Sequence, residues 1–279
     1  MYATLTSNPI ERIRRIVARR GVLQRLVRSD LAVKYEGSTL GYLWSILEPL
    51  LLTGAYFVVF RVVGLRTARV EPFELFLLSG ILPWQWVTGS VNGSLRALRG
   101  NRGLITKVDL PREIFPLSVV AAKSVEFLLS LIVLIAAASI RLQAPSWYAL
   151  AFPLAFLMQL SLLVGLAFFL SAANTLLRDI ERVIKPLLRI VFYLSGILYP
   201  ILLIHDKITE RFSDPEHFLW LLYRFNPVIG ILELYRAVWF PQNFQGWTTV
   251  GFSAVGCLLF VLLGWRTFYR LEGQILKEL

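Results

Sequence analysis

Six stretches of this chain, residues 40–60, 73–95, 114–140, 147–177, 186–204 and 247–268, each run for about 20 residues or more with few charges. That is the length an α-helix needs to cross a hydrocarbon core about 30 Å thick. Inside lipid no water satisfies a backbone N–H or C=O, so each run must close its hydrogen bonds within itself as a helix. Composition agrees, since 56% of the 279 residues are hydrophobic and only 17% are charged. The expected fold is an all-α integral membrane protein of six transmembrane helices. Residues 1–39 form an N-terminal interface segment and corner, and residues 40–279 the six-span domain.

Orientation follows from the basic residues, because loops rich in Lys and Arg stay cytoplasmic. The N-terminal arm, the second loop, the fourth loop and the tail outnumber the other loops in Lys and Arg by more than two to one. Both termini are therefore expected in the cytoplasm. The net charge of +11 lies beside spans rather than in one patch with stacking aromatics. It reads as topology and attraction to anionic membrane lipids, not as nucleic-acid binding. The single cysteine, Cys257, excludes a disulfide framework and a Cys-based metal site. The basic arm leads into the first span without an apolar leader, so that span is expected to target the chain.

In the arm, Ile10, Ile13, Ile16, Val17, Leu23, Leu26, Val27 and Leu31 recur at helical spacing with arginines between them. This predicts an amphipathic helix on the membrane surface, bent near Gly21; packing against a soluble partner is the alternative. The "GSTLG" at residues 37–41 is a flexible corner into the first span. Glu48 then falls about eight residues beyond the corner, roughly 12 Å into that span, followed by Pro49. A carboxylate at that depth must face protein or water rather than lipid, and proline there needs a neighbour to satisfy the carbonyl it frees.

Two connections stand out. The second loop, "RALRGNRGLITKVDLPREIFPLS", predicts a short helix over residues 95–109 with basic and apolar faces, a suitable knob for a cytoplasmic subunit. The last external loop carries apolar pieces at 218–225 and 227–240, too short to span and broken at Asn226–Pro227. These read as two surface or re-entrant helices.

Enzymatic chemistry finds little support. There is no G-x-x-x-x-G-K-[ST], so ATP hydrolysis by that route is excluded, and no Asp-x-Asp for a metal-dependent glycosyltransferase. His205 and His217, with Asp206, Asp214 and Glu216, read as a solvated loop rather than a metal site.

Five strings in order, "RSDLAVKYEGSTLGYLWSILEPLLL", "SGILPWQW", "ITKVDLPREIFPLS", "NTLLRDIERVIKPLLRIVFYLSGILYP" and "NPVIGILELYRAV", resemble the membrane subunit of type-2 ABC transporters that export cell-surface polysaccharides. Those systems carry O-antigen, capsule and teichoic acid, and the resemblance covers residues from about 28 to 268. It implies an inner-membrane permease subunit that forms a homodimer. Each copy is served by a separate ATPase subunit, which holds the ATP and Mg; no cofactor is expected on this chain. It further implies an interface helix near residues 8–35, a coupling helix near 95–109 and gating helices near 218–240. The coupling candidates are Arg99, Arg102, Leu104, Ile105 and Lys107. A lipid-linked polysaccharide is the implied cargo, passing near the first and fifth spans, where Tyr42, Trp44, Glu48, Tyr56, Tyr193 and Tyr199 are the path candidates. Tyr and Trp suit a sugar because each offers a flat apolar ring and a polar tip. A small-molecule or drug exporter of the same fold is the alternative, and a membrane-integral glycosyltransferase a more distant one. Arginine outnumbers lysine, which points to a GC-rich source; were it actinobacterial, a cell-wall galactan is the natural cargo.

Overall fold

A computed structural model describes residues 9–61, 70–108, 110–212 and 218–278. Asn8, Asp109 and the side chain of Tyr42 fall outside the described residues. Among the described residues all regular structure is helical. The arm is Pro9–Ala18 (α1) and Arg20–Tyr35 (α2). Then come Trp44–Arg61 (α3), Phe73–Gly100 (α4), Arg102–Lys107 (α5), Ile114–Ile140 (α6), Phe152–Leu176 (α7) and Ile180–Leu194 (α8). Ile201–Phe212 (α9), Phe218–Arg224 (α10), Pro227–Ala237 (α11) and Trp247–Glu278 (α12) complete the order. Three segments, Ile114–Ile140, Trp147–Leu176 and Trp247–Glu278, are long and apolar enough to cross a membrane.

The bundle is organised around α7. With oil on one side and oil on the other, apolar burial alone does little to choose helix partners in lipid, so small residues and polar side chains do it. Gln159 Nε2 donates to the Pro83 carbonyl at 2.7 Å and Asn174 Nδ2 to the Leu95 carbonyl at 2.6 Å, binding α7 to α4 at two levels. On its other side α7 meets α12 at Gly165 and Gly264, where a Cβ on either residue would run into the opposing backbone. Between α4, α6 and α7, the Trp86 ring stacks on Phe127 at 4.7 Å and on Phe156 at 4.9 Å. Tyr235 of α11 closes this cluster edge-on against Phe127 and Phe152.

At the arginine-rich end the arm is tied down by buried ion pairs. Arg12 Nη1 donates to Glu272 Oε2 at 2.8 Å and to Glu113 Oε1 at 3.4 Å, and its guanidinium lies 3.8 Å from the centre of the Tyr269 ring. Arg112 Nη1 takes the other Glu272 oxygen at 2.6 Å, and the Tyr269 hydroxyl donates to Glu113. Burial works against the Arg12 charge, but the hydrogen bond and charge of Glu272 outweigh it and raise its pKa. The arm thus grips both the start of α6 and the end of α12. The predicted bend falls at Arg19, between α1 and α2, and the corner holds Gly37 and Gly41 at φ 73° and 48°.

Four expected boundaries change. The second span runs to Gly100, so the helix expected over 95–109 is split: its first part belongs to α4, and only Arg102–Lys107 is a separate helix. Asn101 makes the break, its backbone N–H returning to Leu98 and its side chain donating to the Ala97 carbonyl at 2.8 Å. The fourth run opens with a 3₁₀ turn, Trp147–Ala151, before α7 begins. The fifth run is not one helix: α8 starts at Ile180, contains Pro186 and stops at Leu194, and α9 begins only at Ile201. The last helix continues ten residues beyond 268, because its amphipathic end buries Glu272 and Ile275 in the cluster just described.

The break between α8 and α9 needs donors for the carbonyls it exposes. Gly196 takes φ 68°, a left-handed conformation that favours glycine. Buried Arg236 then donates from Nη1 to the Gly196 carbonyl and from Nη2 to the Ile197 carbonyl, both at 2.6 Å, with its guanidinium 3.8 Å from the Phe76 ring centre. The second predicted break, at Asn226–Pro227, docks on the first: Asn226 Oδ1 caps the Val228 N–H while its Nδ2 donates to Ser195 Oγ at 2.9 Å.

Two substitutions test this frame. Gly264→Leu forces α7 and α12 apart and should cost about 1–3 kcal/mol or more through overpacking. Arg236→Leu leaves two buried carbonyls without donors, at about 1–3 kcal/mol each. Both should lower the thermal unfolding midpoint of the detergent-purified protein, whereas Leu259→Ala on an exposed face should leave it within about 1 kcal/mol of wild type.

Candidate functional site

Polar residues in an apolar helix must find partners or water, and α4 carries a stripe of them. Gln85, Thr88, Asn92 and Arg96 recur at three- and four-residue spacing and so share one face of the helix. Opposite stands a second stripe on α8, Glu181, Lys185 and Arg189, spaced by four. The stripes are pinned together where Arg96 Nη2 meets Glu181 Oε1 at 2.5 Å, with Lys185 Nζ on the same oxygen at 3.2 Å. Hydrogen bonds from Arg96 and then Lys185 hold the Glu181 carboxyl down to about 2, so it stays ionised at any physiological pH.

Above this mouth the stripes part to leave a cavity of about 380 Å³, lined by Glu48, Leu52 and Tyr56 of α3, Gln85, Thr88 and Asn92 of α4, and Lys185, Arg189 and Tyr193 of α8. It ends at an aromatic cluster: Phe192 stacks on Tyr56 at 5.9 Å, tilts against Trp84 at 5.8 Å and meets Tyr193 edge-on at 5.2 Å. The groove therefore runs from charged through neutral polar to aromatic over about three helical turns, which at 5.4 Å per turn is roughly 16 Å.

A second cleft of about 320 Å³ lies across α3 and α4, toward α6. It shares Glu48, Gln85, Thr88 and Asn92 with the first and adds Ser45, Lys123, Glu126 and Ser130. Lys123 and Glu126, one turn apart in α6, pair at 2.6 Å. Glu48 thus borders two polar clefts, as its depth in the first run required, and Pro49 beside it is buried.

Of the path residues expected from sequence, the structure brings Glu48, Tyr56 and Tyr193 to one groove. Trp44 is exposed at the start of α3, outside the lining. Tyr199 also stands apart; its hydroxyl donates to the Tyr193 carbonyl at 2.5 Å and supports the end of α8. The Tyr42 side chain is outside the described residues. Among the coupling candidates, Arg102, Leu104 and Lys107 face outward and Arg99 is half-buried. Ile105 turns inward, onto Leu98, Phe115 and Phe268, so it anchors α5 rather than presenting a surface. Sequence reasoning missed Gln85, Thr88, Asn92, Lys123, Glu126 and Arg189. The signal was there: charges inside apolar runs, and polar residues repeating with a helical period.

Comparison with known proteins gives a coherent picture. The family profile described as "ABC-2 type transporter" matches residues 22–240. The O-antigen export system permease protein RfbA of Myxococcus xanthus is 32% identical over 234 residues, covering 84% of this chain and 86% of that protein. A protein of the same name from Klebsiella pneumoniae is 30% identical over 257 residues, covering 91% and 93%. The polysialic acid transport protein KpsM of Escherichia coli is 24% identical over 265 residues, covering 92% and 95%.

Thiol labelling reads the groove directly. Asn92→Cys and Arg189→Cys should react with a water-soluble maleimide at least about fivefold faster than Ile132→Cys and Leu259→Cys, which face outward on apolar surfaces. Native Cys257 is buried and should contribute little background. Equal rates at all four positions would mean that the groove holds no water.

Proposed function

Because this chain belongs to the ABC-2 type transporter family, we propose that it is the membrane-spanning subunit of an ATP-driven exporter of lipid-linked polysaccharide of the O-antigen, galactan or teichoic-acid kind. The observation that carries this reading is the polar, aromatic-ended groove of α3, α4 and α8 inside an otherwise apolar bundle. A small apolar substrate needs no such lining; a glycan needs hydrogen-bond partners and flat ring faces. The relatives named for O-antigen export and polysialic acid transport support the same class of cargo.

On this reading the chain crosses the bacterial inner membrane six times, through α3, α4, α6, α7, the broken α8–α9 pair and α12. With 28 residues α4 reaches about 42 Å and with 18 residues α3 about 27 Å, lengths that suit spans. The polar stripe on α4 and the break after α8 explain why these spans are less apolar or less continuous than the others. Both termini lie in the cytoplasm with the arginine-rich end. There α1–α2 rests on the interface, and α5 couples to a separate ATPase subunit that binds ATP and Mg. At the opposite end α10–α11 gates the exit. Two copies of the chain and two ATPase subunits make the working exporter.

Purification of the tagged chain from its native membrane in mild detergent tests the assembly. An equimolar subunit with vanadate-sensitive ATP hydrolysis is expected, and a strain lacking the chain should lose its surface polysaccharide. A homogeneous chain without such a partner, in a strain whose surface glycan is unchanged, would sink the proposal.

Within that assembly Glu48→Gln should reduce export at least about threefold at unchanged expression, the effect of removing a functional charge from a span. Crosslinking separates surface from anchor in α5: Leu104→Cys should capture the ATPase subunit and Ile105→Cys should not, since Ile105 is buried.

A further inference from the structure

Lys185 and Arg189 sit one turn apart on the α8 wall of the groove, and both line the cavity. Their neighbours in the helix are Ile184, Leu187, Leu188, Ile190 and Val191, so they stand in an apolar helix and not on a solvated one. Such charges are costly unless a partner or a function holds them. Lys185 has Glu181 at 3.2 Å. Arg189, a turn deeper, has no carboxylate partner among the described residues. Glu48 is the single carboxylate in the lining, which leaves the two cations in excess of it. The facing wall adds the neutral groups Gln85, Thr88 and Asn92.

An under-neutralised cationic pair with amide and hydroxyl groups around it suits an oxyanion. The planar guanidinium fork in particular matches two oxygens of a phosphate, while the ammonium acts as a point charge beside it. Immediately beyond lie the rings of Tyr56, Trp84, Phe192 and Tyr193, which suit sugar faces. A ligand that places a phosphate next to a sugar fits this sequence of groups. The pair also lies too deep to serve bulk phospholipid: Arg189 is eight residues, about 12 Å, along the helix from the Glu181 at the mouth. Arg14, Arg19, Arg20 and Arg25 on the arm are better placed for ordinary headgroups.

We propose that Lys185 and Arg189 bind the phosphate through which the exported glycan is joined to its lipid carrier, with Gln85, Thr88 and Asn92 completing the contacts to its oxygens. This rests on the polysaccharide-export reading above and adds to it the group by which the cargo is held at entry.

The test uses the full chain with its co-purified ATPase subunit in phosphatidylcholine nanodiscs and radiolabelled farnesyl diphosphate as the probe. Wild type should bind it saturably, farnesol and phosphatidylglycerol should not displace it, and Lys185→Gln with Arg189→Gln should weaken binding at least about tenfold, as expected when charge-assisted contacts are lost. The charge-keeping exchange, Lys185→Arg with Arg189→Lys, should retain binding. Unaltered binding in the neutral pair overturns the proposal, as does loss of binding in the exchange variant, which makes the residues structural. Equal displacement by phosphatidylglycerol assigns the pair to bulk lipid and overturns it too. The export reading is judged separately: a strain that loses its surface glycan without this chain, while the neutral pair still binds the diphosphate, rejects the phosphate site and keeps export. A strain that keeps its glycan rejects both.

Discussion

Every interruption of a helix in an apolar bundle exposes carbonyls and N–H groups that water cannot reach, and the architecture of this protein turns on how two such interruptions are satisfied together. Arg236 supplies donors to Gly196 and Ile197, and Asn226 bonds Ser195 while capping α11. One break is thus held by residues from the other. Because the end of α8 is fixed this way, its polar stripe can stay opposed to that of α4, and the groove between them keeps its shape. A guanidinium buried for this purpose is costly to desolvate, and its hydrogen bonds and the Phe76 face offset that cost.

The groove and the packing core lie on opposite faces of α4. One face carries Leu75, Leu78, Leu82, Trp86 and other buried residues into the bundle; the other carries Gln85, Thr88, Asn92 and Arg96 toward α3 and α8. α7 holds the first face through Gln159 and Asn174, so α4 is a rigid wall against which α3 and α8 can shift without disturbing the core. The proposed cargo path is therefore built on the best-anchored helix in the molecule. At the arginine-rich end, Glu272 and Glu113 join the arm to the end of α12 and the start of α6. A push on α5, which is anchored by Ile105 in the same region, reaches those elements through packed side chains instead of through a flexible linker.

Much of this was legible before any coordinates. Apolar run length alone placed the long helices, since a span needs about 20 residues and lipid tolerates little else. Glycines and proline marked the corner at residues 37–41 and the break at Asn226–Pro227, and both are where the structure has them. The depth of Glu48 required a polar surrounding, which it has. Boundaries fared worse for a physical reason: helix ends are set by whichever side chain reaches the last free carbonyl or N–H, and for Asn101 and Gly196 that partner is a matter of local geometry or of a residue 40 positions away.

The sequence by itself determined the class of fold, because hydropathy and backbone hydrogen bonding are properties of each segment alone. It also contained the α4 and α8 stripes, as spacings within single helices. Only the tertiary structure decided that these stripes face each other, that Tyr56 and Tyr193 close the same cavity while Tyr199 serves as a prop, and that the fifth run is two helices held by Arg236. Those are relations between segments distant in sequence, and no one-dimensional periodicity encodes which faces meet.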